Sequence, residues 1–142
     1  MTLTHEQIFE HYIYAGSVAR NPDAVADMFT EDGILETPLV PDGHALRRLV
    51  GRDAIRSGVG AYHQRESARS GTVNFAESRY VLHDTVDPDV FIAEIDTVLD
   101  GADGQRTTMS LVQIVRVRDG LIAVLRDYFA EPSELDGRAG QR

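Results

Sequence analysis

Two stretches of this 142-residue chain place carboxylates among apolar neighbours. In Phe91-Ile92-Ala93-Glu94-Ile95-Asp96-Thr97-Val98, strand alternation gathers Ile92, Glu94, Asp96 and Val98 on one face. If that face is buried, desolvation and mutual repulsion raise the proton affinity of at least one of the two acids, the usual route to a carboxyl acid or base working near neutral pH. The alternative is a solvated outer face. Asp127 alternates with Leu121, Ala123, Leu125 and Phe129, all apolar. An acid on such a face is costly unless it has a task or a partner, either as a pocket acid or as a structural acid tied to amides or an arginine. Asp96 and Asp127 are therefore the first candidates for proton transfer.

Other residue types add to this picture or narrow it. Glu36 stands just before Pro38 and is a candidate base or an ordinary exposed strand residue. Tyr12 and Tyr14 lie on or beside the apolar stripe of a first helix, as core residues or ligand contacts. Cysteine and lysine are both missing, which removes thiol nucleophiles, disulfides, thiolate metal sites, Schiff bases and the phosphate-loop lysine. The histidines His5, His11, His44, His63 and His83 show no metal-ligand spacing, and no metal is expected. Neither a G-x-S-x-G elbow nor a G-x-G-x-x-G loop occurs, so cofactor-free chemistry is the expectation.

The elements that must position these groups follow from periodicity. Thr4-His5-Glu6-Gln7 is a capping-box pattern, and Ile8, Tyr12, Ala15 and Ala19 form one face of a helix running to about Arg20. Asn21-Pro22-Asp23 starts a second helix, with Val25, Met28 and Phe29 inward, ending near Gly33. Ile34 to Pro38 reads as a strand, and Val40-Pro41-Asp42-Gly43 as a rim loop. Ile55, Val59 and Tyr62 mark a third helix from Arg52. Beyond Thr72 the period becomes two, predicting strands over 72–83, 89–99, 106–118 and 121–130 in an antiparallel meander. Helices first and long strands afterward predict an α+β fold in which a strongly curved, mainly antiparallel sheet and three N-terminal helices form a cone around a pocket. One domain over residues 1–131 is expected, with 132–142 as a charged, glycine-rich tail.

Four segments carry a family resemblance: Phe29-Thr30-Glu31-Asp32-Gly33, Glu36-Thr37-Pro38, Gly51-Arg52-Asp53-Ala54-Ile55 and Arg126-Asp127-Tyr128-Phe129. Over roughly residues 5–131 the chain resembles the SnoaL-like branch of the nuclear-transport-factor-two-like superfamily, whose fold is cystatin-like. That superfamily holds ketosteroid isomerases, polyketide cyclases, limonene-type epoxide hydrolases and non-catalytic proteins, so the resemblance implies fold more than function. The Arg126-Asp127-Tyr128-Phe129 ending is similar to the epoxide hydrolases, whose second aspartate would fall on Asp96. Their intervening arginine falls on Glu94, and their water-holding tyrosine and asparagine on Leu35 and Thr37. On the isomerase pattern, the catalytic base falls on Thr37, with Glu36 beside it, and the oxyanion-binding acid on Gln113. A cyclase needs mainly one carboxyl acid/base in an apolar pocket.

The expectation is thus a cofactor-independent acid/base enzyme for a small hydrophobic substrate, using Asp127, Asp96 and Glu36, with Tyr12, Tyr14, Glu94, Thr37 and Gln113 at the substrate. The alternative is a non-catalytic, dimeric binding protein for an apolar ligand. A net charge of −9 repels nucleic-acid phosphates and anionic membranes. No run approaches the roughly 20 apolar residues of a membrane span, and the N-terminus does not read as a signal peptide, so a cytoplasmic location is expected. Apolar residues on both faces of the last strands predict a homodimer.

Overall fold

The computed structural model of the protein describes residues 3–67 and 72–130. The segment 132–142, read as a tail, lies outside the described residues. The chain opens with α1 (His5–Ile13), whose capping box is made as expected: Thr4 Oγ1 accepts from the Gln7 amide at 3.1 Å, and the Gln7 side chain accepts from the Thr4 amide at 2.9 Å. It runs into a π-helical turn over Tyr14–Val18, a local widening that often accompanies functional sites. Asn21 caps α2 (Pro22–Asp27), with proline at its first position.

The second helix stops earlier than periodicity predicts, because Phe29 to Gly33 already belongs to β1 (Phe29–Glu36). A large bulge explains the misreading. Phe29 pairs with Ile122 and Ile34 with Val124, so the intervening residues of β1 fold out of the ladder. Gly33 is required there: a Cβ would come within 2.8 Å of Phe29 Cβ. A short β2 (Arg48–Val50), not anticipated from the sequence, pairs with β1 and leads through Gly51, at φ +89°, into α3 (Arg52–Ser67).

The remaining strands are β3 (Thr72–Val73), β4 (Arg79–Asp84), β5 (Val90–Asp100), β6 (Arg106–Arg118) and β7 (Leu121–Tyr128). The predicted strand over 72–83 is thus two short ones, both paired antiparallel with β5. Asp119 and Gly120, at φ 54° and 79°, make the tight hairpin between β6 and β7. One seven-stranded sheet results, in the order β2-β1-β7-β6-β5-β3 with β4 also on β5, and it curls into a half-barrel that the three helices cover. This is the predicted α+β cone. Its only parallel contact among these strands is β1 with β7.

Register decides which side chains enter the hollow. Leu82, Ala93, Gln113 and Asp127 form one row across four strands, and Phe91, Val115, Leu125 and Leu35 form the next inward row. Ala93, Phe91, Val115, Leu125 and Leu35 are all buried against Ile8, Phe9, Val25 and Ile55 of the helices. The opposite face carries the rows Val81–Glu94–Val112–Tyr128 and His83–Ile92–Ile114–Arg126. No described helix is long and apolar enough to cross a membrane.

Candidate functional site

Between the helices and the curled sheet lies a cavity of about 640 Å³. It extends from Asp127 and Gln113, on neighbouring strands, toward the β5–β6 turn at Gly101. Tyr12 of α1 and Tyr62 of α3 face it from the helical side, with Leu35, Leu46 and Ile95 among the apolar residues of its wall.

The centre of the site is Asp127. Gln113 Nε2 donates to Asp127 Oδ2 at 3.0 Å, while Asp127 Oδ1 and Gln113 Oε1 are sealed from solvent and have no hydrogen-bond partner. Burial pushes the Asp127 carboxyl up to about 7, against the weaker opposing effect of the Gln113 hydrogen bond. Asp127 as a whole is half-buried and lines the cavity, although its Oδ1 atom is sealed. Burial raises the Tyr12 phenol as well, with the nearby Asp127 and then Tyr62 adding to the effect, so Tyr12 keeps its proton and is a hydrogen-bond donor at any ordinary pH.

Thr37 also lines the cavity but is only 1% exposed, and its hydroxyl is used locally, donating to the Leu46 carbonyl at 2.6 Å. Of the residues singled out from sequence, the structure therefore brings Asp127, Gln113, Tyr12 and Thr37 together.

It does not bring the others. Asp96 and Glu94 point from the outer face of β5, exposed to solvent, where Ser110 Oγ donates to Asp96 at 2.7 Å and Glu94 pairs with His83. Alternation does gather the two acids on one face, and that face is the solvated alternative rather than the pocket wall. The other set, Phe91, Ala93, Ile95, Thr97 and Leu99, carries no charge at all, and the uncharged set is the one that faces the core. Glu36 likewise faces outward, between Leu35 and Thr37. It accepts from Arg126 Nε at 2.9 Å and lies 3.4 Å from Arg48 Nε, so it is an ion-pair residue of the outer face rather than a pocket base. Tyr14 is 62% exposed in the π-helical turn and lies off the cavity.

Sequence reasoning passed over an aromatic group at the same wall. Phe129 and Tyr62 have ring centroids 6.3 Å apart, and the His44 ring lies 5.7 Å from Tyr62 and 6.2 Å from Phe129. Tyr62 already stood on the helical stripe with Ile55 and Val59, which was the available signal. His44 had none, because the loop that buries it has no period. Its Nδ1 accepts from the Leu46 amide at 3.0 Å, and its Nε2 lies 3.0 Å from Arg65 Nη2. Among the described residues no three His, Asp or Glu converge as a metal site requires.

Comparison with known proteins agrees with this architecture. An uncharacterized PhzA/B-like protein of Pseudomonas aeruginosa is 30% identical over 117 residues, 80% of this chain and 76% of that protein. A protein of ketosteroid-isomerase-like fold from Catenulispora acidiphila, solved in complex with trimethylamine, superposes with a TM-score of 0.65 at 18% identity, covering 94% of this chain and 92% of that one. A limonene-epoxide-hydrolase-like epoxide hydrolase of Mycobacterium tuberculosis superposes with a TM-score of 0.56 at 18% identity, covering 87% and 80%. At such identities the structural likeness is one of fold. The family model described as a SnoaL-like domain matches residues 9–125, and with the curled sheet and helical cover seen here, the chain belongs to the SnoaL-like family.

Proposed function

We propose that the protein is a cofactor-independent acid/base enzyme for a small, largely hydrophobic substrate, with Asp127 as its proton-transfer group. The observation that carries this reading is a carboxyl group facing a cavity whose surroundings push its pKa up to about 7. At neutral pH both its forms are populated, so it can take a proton and return it. Gln113 holds one carboxyl oxygen in place, and Tyr12 offers an O–H to oxygen charge developing on the substrate.

In such a cycle Asp127 removes a proton from carbon beside a carbonyl, the electron pair moves onto the carbonyl oxygen, and reprotonation or carbon–carbon bond formation follows. The separation of Asp127 from Asp96 favours this single-acid chemistry over epoxide opening by two aspartates. Solvent-deuterium exchange into a panel of small ketones, followed by NMR, tests it. Asp127→Asn should lower the exchange rate of a responsive ketone by about 10² to 10⁴-fold. Undiminished exchange in that variant would defeat the assignment.

A non-catalytic ligand carrier is the second reading, favoured by the commitment of the Thr37 hydroxyl to a backbone carbonyl. It predicts ligand binding with no exchange in any member of the panel. Either reading includes a homodimer formed through the outer sheet face. Support comes from its apolar residues Val81, Ile92, Val112 and Ile114, set among both acids and arginines, a self-complementary surface under two-fold symmetry.

A further inference from the structure

At the Asp127 wall, hydrogen-bond donors and acceptors do not balance. Gln113 spends an amide hydrogen on Asp127 Oδ2, whereas Gln113 Oε1 and Asp127 Oδ1 accept from no protein group. Gln113 is 4% exposed and lines the cavity, so solvent does not readily repair the deficit. Carboxyl and amide torsions are broad and soft, and either atom can turn toward an incoming hydrogen without backbone movement.

With Asp127 ionised, two acceptors that no protein donor reaches call for two hydrogens. A hydroxyl has one, while a protonated primary amine has three and no lone pair to leave unsatisfied. Charge points the same way. Burial dominates the environment of Asp127. An ammonium would supply the counter-charge that makes a buried carboxylate tolerable.

The groups that face this wall from the packed elements are consistent with it. Tyr12 brings a protonated hydroxyl, and the rings of Tyr62 and Phe129, 6.3 Å apart, line the cavity as an aromatic surface of the kind that attracts cations. The basic residues lining the cavity are Arg20 and His63. Arg20 donates to the His63 carbonyl at 2.8 Å, and Arg65 lies on the far nitrogen of His44. The net charge of −9 draws cations toward the molecule.

We propose that the Asp127–Gln113 wall is an amine subsite, taking the protonated primary amine of a small, otherwise apolar ligand, with its N–H groups on Asp127 and on Gln113 Oε1. This rests on the reading of Asp127 as the working acid of the cavity, and names the head group that the acid meets. The test is calorimetric titration of the full chain at pH 8 with benzylamine, benzyl alcohol and benzamide, which share a ring and differ in the head group.

Benzylamine should bind at least about tenfold more tightly than either of the others, the margin of a charge-assisted hydrogen bond. Asp127→Asn and Gln113→Leu should each remove most of that margin. Benzyl alcohol or benzamide binding as tightly as benzylamine, or no benzylamine binding at millimolar concentration, overturns the proposal; neither result needs a variant that folds. If the amine preference is absent while Asp127→Asn still abolishes ketone exchange, the subsite fails and the acid/base reading stands. Loss of the preference in Asp127→Asn with exchange intact is the reverse case.

Discussion

Asp127 makes its environment measurable even without a substrate. Its carboxyl ionises near 3.8 in the unfolded chain and near 7 in the folded one, so the folded state binds the proton more tightly. Stability therefore falls as pH rises between those two values and has lost this contribution fully above about 7, by an amount on the order of 1–4 kcal/mol. Urea unfolding of the wild type at pH 5 and at pH 8.5 should show the loss, and Asp127→Asn should flatten it. An equal pH dependence in both proteins would mean that the acid is not held in the environment described. Asp32, Asp87 and Asp100 shift the other way through hydrogen bonds, led by the Thr30 hydroxyl, the Asp89 amide and Arg106 respectively, and their contributions disappear only below about pH 4, outside this window.

At the scale of elements, the bulge in β1 sets where the cavity begins. It lets β1 leave the ladder after Phe29 and rejoin β7 at Ile34, which turns Leu35 and Thr37 inward and Glu36 out to Arg126 and Arg48. Gly33 permits the close approach. Gly33→Ala should cost about 1–3 kcal/mol of stability, since the neighbour is the Cβ of a fully buried phenylalanine rather than the end of a flexible chain. Denaturant midpoints compare the two proteins, and an unchanged midpoint would show that the bulge can relax. The four residues Phe29 to Asp32 look helical in sequence because Val25, Met28 and Phe29 share a helical face. Pairing with β7 on both sides of the bulge, at Phe29 and from Ile34 onward, overrides that local preference.

At the scale of the whole molecule, the outer sheet face is the one turned away from the buried core that the helices cover. Val81 is 57% exposed there, in a row with Val112 and Tyr128. If a second copy covers this face, Val112→Arg should convert a dimer seen by sedimentation at micromolar concentration into a monomer, with the cavity and its ligands unaffected. A wild type that sediments as a monomer at that concentration would remove the homodimer from the proposal.

The three helices, the long strands β5 to β7, the hairpin at Asp119-Gly120 and the candidacy of Asp127 were legible in the chain, because each rests on local period or turn chemistry; β2 and the division of β3 from β4 were not. Alternation alone also showed that Glu94 and Asp96 share a face. Which face lines the cavity is not a local property. It depends on how β5 pairs with β4 and β6 and on where the helices settle, and that pairing put Ala93 inward and both acids outward. The same register placed Gln113 opposite Asp127, and the loop around His44 closed over the aromatic group near them. Contacts between residues far apart in sequence have no period to announce them, so the partners of Asp127 emerged only when the sheet was assembled.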